Sequence, residues 1–146
     1  MSASRAKTSG SDQEGTLLNS FEKAKENISV IENALRVLFV PAAPGEYDLH
    51  ALISCALEKA DLPCIHEAKL GKGCRADFMV GNICVEVKKS KPVKNTLLKQ
   101  ITRYLSFDDV HGLLVVTQKN VSVPEKIMNK PVRLLSLDKL WGVSLP

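Results

Sequence analysis

The sequence lacks the features that define several large classes of protein. No apolar run approaches the ~20 residues that cross a bilayer, so an integral membrane protein is excluded. The chain has no Gly-rich phosphate loop, no G-x-S-x-G motif and no histidine pair at zinc-binding spacing. These absences argue against nucleotide hydrolysis, serine hydrolysis and zinc-dependent hydrolysis. The first fifteen residues lack the apolar core of a secretory signal.

The four cysteines form no recognisable metal or disulfide framework. Cys55, Cys64, Cys74 and Cys84 have no Cys-x-x-Cys pairing and no companion histidines at zinc-binding spacing. Each lies in an apolar context, which favours reduced cysteines in the core. Reduced cysteines are typical of intracellular proteins, so we expect the protein in the cytoplasm, nucleoid or nucleus and not outside the cell.

The length and composition predict one soluble globular domain. The chain has 146 residues, of which 45% are hydrophobic and 25% charged. Residues 1–15 are small and polar, and we predict a disordered tail there. Residues 16–146 then form a single domain.

One stretch, from Arg75 to Lys88, predicts a β-hairpin. Two alternating segments flank Gly81-Asn82, and glycine in the first turn position suits a two-residue type II′ turn. The register follows from the turn, and six apolar residues then share one face. The predicted apolar pairs are Val80 with Ile83, Phe78 with Val85, and Ala76 with Val87.

The other face of this hairpin carries two acids. The register places Asp77 opposite Glu86 and Arg75 opposite Lys88. Facing carboxylates destabilise a sheet unless a cation neutralises them, and oxygen ligands suit Mg²⁺. The alternative is a half-exposed sheet whose solvent face pairs these acids with Lys88 and Arg75.

The hairpin lies within a strongly basic window. From Lys69 to Arg103 there are nine Lys and Arg residues and only two acids, Asp77 and Glu86. A solvated basic face is one interpretation. The other is a surface that attracts a polyanion to an acidic metal pocket, which accounts for both charges together.

The N-terminal part predicts a helix over 17–38. Its apolar residues, from Leu17 to Leu38, repeat at a four-three spacing. Such a stripe packs either on the chain's own domain or on a second copy, as a short coiled-coil seam of a homodimer. A small structural or assembly protein that dimerises through this helix is a further alternative.

The remaining pattern predicts a mixed α/β domain. A second helix begins near Glu46, with His50 one turn further on, and a helix over 94–106 carries Gln100 and Tyr104 at the border of its buried face. A buried strand follows over 112–117. The other predicted elements are a strand over 62–69, a short helix from Ser122, a strand over 132–135 and a last helix containing Trp141 and capped by Ser136.

These motifs resemble the PD-(D/E)XK nuclease superfamily. The resemblance covers about residues 46–118, and its specific part is GKGCRADFMVGNICVEVKK. Gln100-x-x-x-Tyr104 is similar to an additional motif of the RecB-like branch, which is grouped with Holliday-junction-resolvase-like enzymes. The resemblance implies a restriction-endonuclease-like core, a mixed central sheet flanked by helices, to which the first helix is an addition. The proline that often precedes the aspartate is replaced by Ala76.

The resemblance also implies a function and a site. The expected activity is Mg²⁺- or Mn²⁺-dependent hydrolysis of phosphodiester bonds, most readily in DNA during repair or recombination. Asp77, Glu86 and Lys88 would be catalytic, and the implied metal ligands are Asp77, Glu86, the Val87 carbonyl and Glu46. Gln100 and Tyr104 would order the site. The residues expected to bind nucleic acid are Arg75, Lys89, Lys91, Lys94, Lys99 and Arg103. The alternative is a catalytically silent nuclease-fold module that binds nucleic acid or a protein.

Overall fold

The computed structural model describes residues 2–37, 46–89 and 91–137. Side chains are described over 19–37, 49–89 and 91–137. The elements follow in the order helix, helix, three strands, helix and three strands. They are α1 (Ser2–Leu35), α2 (Glu46–Lys59), β1 (Ile65–Gly71), β2 (Cys74–Val80), β3 (Ile83–Lys88), α3 (Lys94–Leu105), β4 (Gly112–Thr117), β5 (Lys126–Ile127) and β6 (Lys130–Ser136).

The strands form one mixed sheet in the order β1-β2-β3-β4-β6-β5. β1, β2 and β3 make an antiparallel meander, α3 then crosses over, and β4 pairs parallel to both β3 and β6. A parallel pair requires such a crossover, whereas an antiparallel pair needs only a short turn. The expectation of an α/β fold with a mixed sheet is therefore confirmed.

The predicted hairpin forms between β2 and β3. Its ladder pairs Val80 with Ile83, Met79 with Cys84 and Phe78 with Val85, in the predicted register. Gly81 has a φ of 60°, the left-handed value that the first position of a type II′ turn needs and that glycine adopts without strain.

Helices cover both faces of the sheet and separate two apolar clusters. α1 and α2 pack on one face through residues such as Ile28 and Leu57, which join Phe78 and Val85. α3 packs on the other face, where Ile101 joins a second cluster. Every residue of β4 is buried, as expected for a strand covered on both faces.

The apolar stripe of α1 packs on its own chain. Ala24, Ile28, Ile31 and Leu35 are buried with residues of α2 and the sheet. Glu32 on the same helix forms an ion pair with Arg133 of β6. Of the two alternatives for this stripe, the described part of it follows intramolecular packing.

Helix α1 begins at Ser2, earlier than the predicted start at residue 17. The segment expected to be a disordered tail is therefore continuous with the helix in this structure. Residues 2–15 contain two glycines, Gly10 and Gly15, and no proline, so a helix can extend backwards through them from its packed part.

The described part of the chain after β4 differs from one expectation. The predicted short helix from Ser122 is wrong, because the chain reaches β5 without a helix and Val132 donates its N–H to the Glu125 carbonyl at 2.9 Å. Met128 and Asn129 have positive φ values, which make a tight turn between β5 and β6. Ser136 is the last residue of β6, and its hydroxyl has no hydrogen-bond partner among the described atoms. Leu137, directly after it, is helical, as expected where Ser136 was predicted to begin a last helix. Trp141 lies outside the described residues.

Cys74 and Cys84 are free and buried, as predicted for core cysteines, whereas Cys55 is exposed. Within the described residues, no helix has the length and apolarity to span a membrane.

Candidate active site

The regular pairing of β2 with β3 gives way to a side-chain contact at Asp77. Beyond the pair of Phe78 with Val85, the Val87 N–H donates to Asp77 Oδ2 at 2.8 Å. The predicted direct opposition of Asp77 and Glu86 is therefore not part of the ladder. The carboxylate of Asp77 instead accepts a hydrogen bond from a backbone N–H of the neighbouring strand.

The backbone of β1 is irregular at the same level. Glu67 lies between the paired residues His66 and Ala68, and it has a φ of 53°. A left-handed residue other than glycine inside a strand is strained, and such strain occurs often at functional sites. The regular alternation of faces breaks here, since Ala76 packs in the α3 cluster and Phe78 in the other. The prediction that these two residues share a face is wrong for that reason.

Glu86 is a buried carboxylate with one unsatisfied oxygen. Its residue is 3% exposed, and Oε1 has no hydrogen-bond partner among the described atoms. Oε2 lies 3.2 Å from Lys88 Nζ. Burial, and then the charge of Asp77, raise the pKa of the Glu86 carboxyl to about 7, although Lys88 opposes the rise. A buried anion of this kind is stabilised by a cation.

Lys88 lies at the end of β3, between the buried carboxylate and solvent. Its side chain is 29% exposed, and its strand neighbour in β4 is Thr117, whose buried hydroxyl is also unpartnered. The ammonium therefore neutralises part of the charge on Glu86 while remaining accessible from outside.

Gln100 and Tyr104 join α3 to β2. Gln100 Nε2 donates to the Tyr104 hydroxyl at 3.0 Å, and that hydroxyl donates to the Arg75 carbonyl at 3.2 Å. Burial, followed by the charge of Glu86, raises the pKa of the Tyr104 hydroxyl, which keeps it a hydrogen-bond donor. The pair thus holds the backbone of β2 two residues before Asp77.

The predicted basic surface is exposed, and one of its residues has a structural contact. Arg103 donates to the carbonyls of Lys72 and Gly73, at 3.4 and 3.2 Å, and so fixes the β1–β2 turn against α3. The other basic residues on this surface are Arg75, Lys89, Lys91, Lys94 and Lys99, all of them exposed.

His50 is the site residue that sequence reasoning passed over. Its Nε2 lies 4.0 Å from Asp77 Oδ2, and its Nδ1 lies 3.1 Å from His66 Nε2. The only signal in the sequence was its place one turn after Glu46 on α2. Glu46 is the first residue of α2, but its side chain lies outside those described.

The described side chains offer a partial set of metal ligands. No group of three or more His, Cys, Asp and Glu residues in the described part of the chain is already arranged to hold a metal ion. Asp77 and Glu86 supply hard carboxylate oxygens, and the unpartnered Oε1 of Glu86 fits a cation-binding role. Backbone carbonyls and water commonly complete such sites.

Comparisons with known proteins give no further guide to this site. No family model matches the chain, and neither a curated protein nor a solved structure is significantly similar to it.

Proposed function

We propose that this chain is a divalent-metal-dependent nuclease of the PD-(D/E)XK type that hydrolyses phosphodiester bonds, with DNA as the favoured substrate. The observation that carries the proposal is the state of Glu86. This carboxylate is buried, has an unpartnered oxygen, and lies next to both Asp77 and the ammonium of Lys88. A buried acid that only stabilised the fold would have both oxygens paired.

Each residue of the site has a role that its position supports. Asp77 and Glu86 would hold Mg²⁺ or Mn²⁺, with the Val87 carbonyl and Glu46 as further oxygen ligands. His50 joins this set because its ring nitrogen lies 4.0 Å from Asp77 Oδ2. When bound, the cation supplies charge neutralisation at the phosphate and lowers the pKa of a water molecule. Lys88, accessible at the strand end, would orient that water or stabilise charge on the phosphate.

The order of elements supports the same proposal. A helix, an antiparallel meander of three strands, a helix and a parallel strand run from α2 to β4. This order fits the restriction-endonuclease-like core that the resemblance implied for about residues 46–118. The two carboxylates come from adjacent strands of the meander, and the lysine follows the second carboxylate by two residues.

The charge distribution supports nucleic acid as the substrate. The exposed lysines and arginines of β2 and α3 lie on elements that also bear site residues. Such a surface attracts a phosphate backbone without reading its bases.

Cleavage assays with Mg²⁺ and with Mn²⁺ test the proposal. The purified protein is offered circular, linear, single-stranded and branched DNA, and a matched RNA. We expect cleavage of at least one substrate, which requires the cation and falls by more than about 10³-fold in Asp77→Asn, Glu86→Gln and Lys88→Ala. Glu58→Gln and Lys59→Ala change exposed residues of α2 and are the matched controls.

Two results would contradict the proposal. Equal cleavage by wild type and the three site variants would indicate a contaminating nuclease. No cleavage of any substrate, together with no cation binding but with salt-dependent binding of nucleic acid, would favour the silent binding module.

A further inference from the structure

The two histidines beside Asp77 form a hydrogen-bonded pair. His50 comes from α2 and His66 from β1, and Nδ1 of the first lies 3.1 Å from Nε2 of the second. The His66 ring stacks on Phe78 with a centroid separation of 4.7 Å and an interplanar angle of 23°. Phe78 is fully buried, so His66 rests on a rigid support.

The contact between the rings determines what His50 presents to Asp77. A neutral imidazole has one N–H donor and one bare acceptor nitrogen. If His50 donates from Nδ1 to His66, its Nε2 carries a lone pair directed towards the Asp77 carboxylate. That lone pair and Oδ2 are both acceptors 4.0 Å apart, and a cation between them can bind both. If the hydrogen bond runs the other way, an N–H points at Asp77 and His50 cannot be a ligand.

We propose that His66 is a positioning residue that accepts a hydrogen bond from His50 Nδ1 and thereby holds the His50 Nε2 lone pair at the cation site. The inference rests on the proposed function only in taking Asp77 as a cation ligand. Metal-binding histidines generally donate their second ring nitrogen to such an acceptor, and losing that acceptor costs about 10- to 100-fold in metal affinity.

Two substitutions at His66 separate the hydrogen bond from the packing. His66→Phe keeps an aromatic ring that can stack on Phe78 but offers no acceptor. His66→Gln loses the ring and keeps an acceptor oxygen within reach of His50. A role in packing alone predicts that phenylalanine is tolerated better, whereas a positioning role predicts the opposite.

The test is equilibrium binding of Mn²⁺, followed by electron paramagnetic resonance, to wild type, both variants and His50→Ala. We expect affinity to fall about tenfold or more in His66→Phe and in His50→Ala, and to be largely restored in His66→Gln. Nitrogen-15 spectra of the histidines with diamagnetic Zn²⁺ bound should show the proton of His50 on Nδ1 in the wild type.

Several outcomes would overturn the role of His66. These are wild-type Mn²⁺ affinity in His66→Phe, equal loss in both His66 variants, or a Zn²⁺ complex in which His50 carries its proton on Nε2. Cleavage of nucleic acid tests the proposed function separately from the role of His66. If Mn²⁺ binding follows this pattern but no nucleic acid is cleaved, the positioning role stands and the nuclease proposal fails. If cleavage requires the cation but Mn²⁺ affinity is the same in His66→Phe as in wild type, the nuclease proposal stands and the positioning role fails.

Discussion

The two halves of the β2–β3 hairpin differ although they belong to the same pair of strands. Next to the turn, Val80, Met79 and Phe78 pair regularly with residues of β3, and all are buried. At the open end, the Asp77 carboxylate accepts a hydrogen bond from the Val87 N–H. Glu86 is buried there, and one of its oxygens has no hydrogen-bond partner among the described atoms. The turn half follows the rules of stable sheets, and the open half departs from them. Such local departures, compensated elsewhere in the fold, are expected at functional sites.

The largest effect on stability is expected in the turn half. Phe78→Ala removes a fully buried aromatic ring from the core and should lower the free energy of unfolding by about 3–5 kcal/mol. Lys88→Ala at the open end should cost less than about 1 kcal/mol near neutral pH, because the buried Glu86 carboxyl, with a pKa of about 7, can take up a proton when the ammonium is removed. Urea unfolding of the two variants measures both values. A larger loss of stability in Lys88→Ala than in Phe78→Ala would contradict the view that the turn half contributes more to stability than the open half.

Glu86→Gln should stabilise the metal-free protein at high pH. Burial raises the pKa of this carboxyl from 4.5 to about 7 in the folded state. The protonated carboxyl therefore makes its full contribution to the free energy of unfolding below about pH 4.5, and this contribution is lost as the pH rises through 7. At pH 8 the loss is about 3 kcal/mol, and an uncharged glutamine avoids it.

Unfolding of wild type and Glu86→Gln in a chelating buffer from pH 4.5 to 8 measures this difference. We expect the variant's advantage to grow with pH over that range. A constant difference, or an advantage that shrinks as the pH rises, would show that the carboxylate is not buried in the way described.

Tyr104→Phe tests whether α3 supports the open half. The substitution keeps the buried ring and removes the hydroxyl that donates to the Arg75 carbonyl and accepts from Gln100. We expect a loss of about 1 kcal/mol in stability and a clear reduction in cleavage rate. Gln100→Ala removes only the second of these contacts and should have the smaller effect on stability. Equal cleavage by Tyr104→Phe and wild type would leave the hydroxyl with a structural role alone.

Lys99→Ala should have the smallest effect on stability, and its main effect should be weaker binding of DNA. Lys99 is exposed on α3, so its loss should change stability by a few tenths of a kcal/mol at most. If it contacts phosphate, affinity for DNA should fall similarly for all sequences, and the slope of log affinity against log salt should decrease by about 1. Lys59→Ala on α2 is the matched control, and equal effects of the two would count against a basic surface on α3.

Sequence reasoning succeeded where a single local rule decides the structure. The Gly81-Asn82 turn fixes the register of the hairpin, and the continuous apolar run over 112–117 identifies the buried central strand. The start of α2 at Glu46 and the bounds of α3 to within one residue agree with the helices predicted from the sequence. In these segments the periodicity of the sequence and the burial in the fold agree.

The same reasoning failed where tertiary contacts override a local pattern. The strict alternation of faces placed Ala76 with Phe78, but the left-handed backbone of Glu67 on the neighbouring strand coincides with a break in that alternation. His50 was missed because it lies on α2 and Asp77 lies on β2. The residue spacing within either segment gives no information about a contact between them. A partly regular hairpin cannot be distinguished from a fully regular one by its sequence pattern.

The most direct test of a cation site at the open end is thermal unfolding of wild type and Asp77→Asn with and without Mn²⁺. Asparagine keeps an acceptor for the Val87 N–H but removes the charge that, in addition to burial, raises the pKa of Glu86. Without Mn²⁺ we expect the variant to be more stable, by up to about 1 kcal/mol. Saturating Mn²⁺ binds the folded wild type and should make it the more stable of the two. An equal shift of both proteins with Mn²⁺, or no shift of either, would contradict a cation site at Asp77 and Glu86.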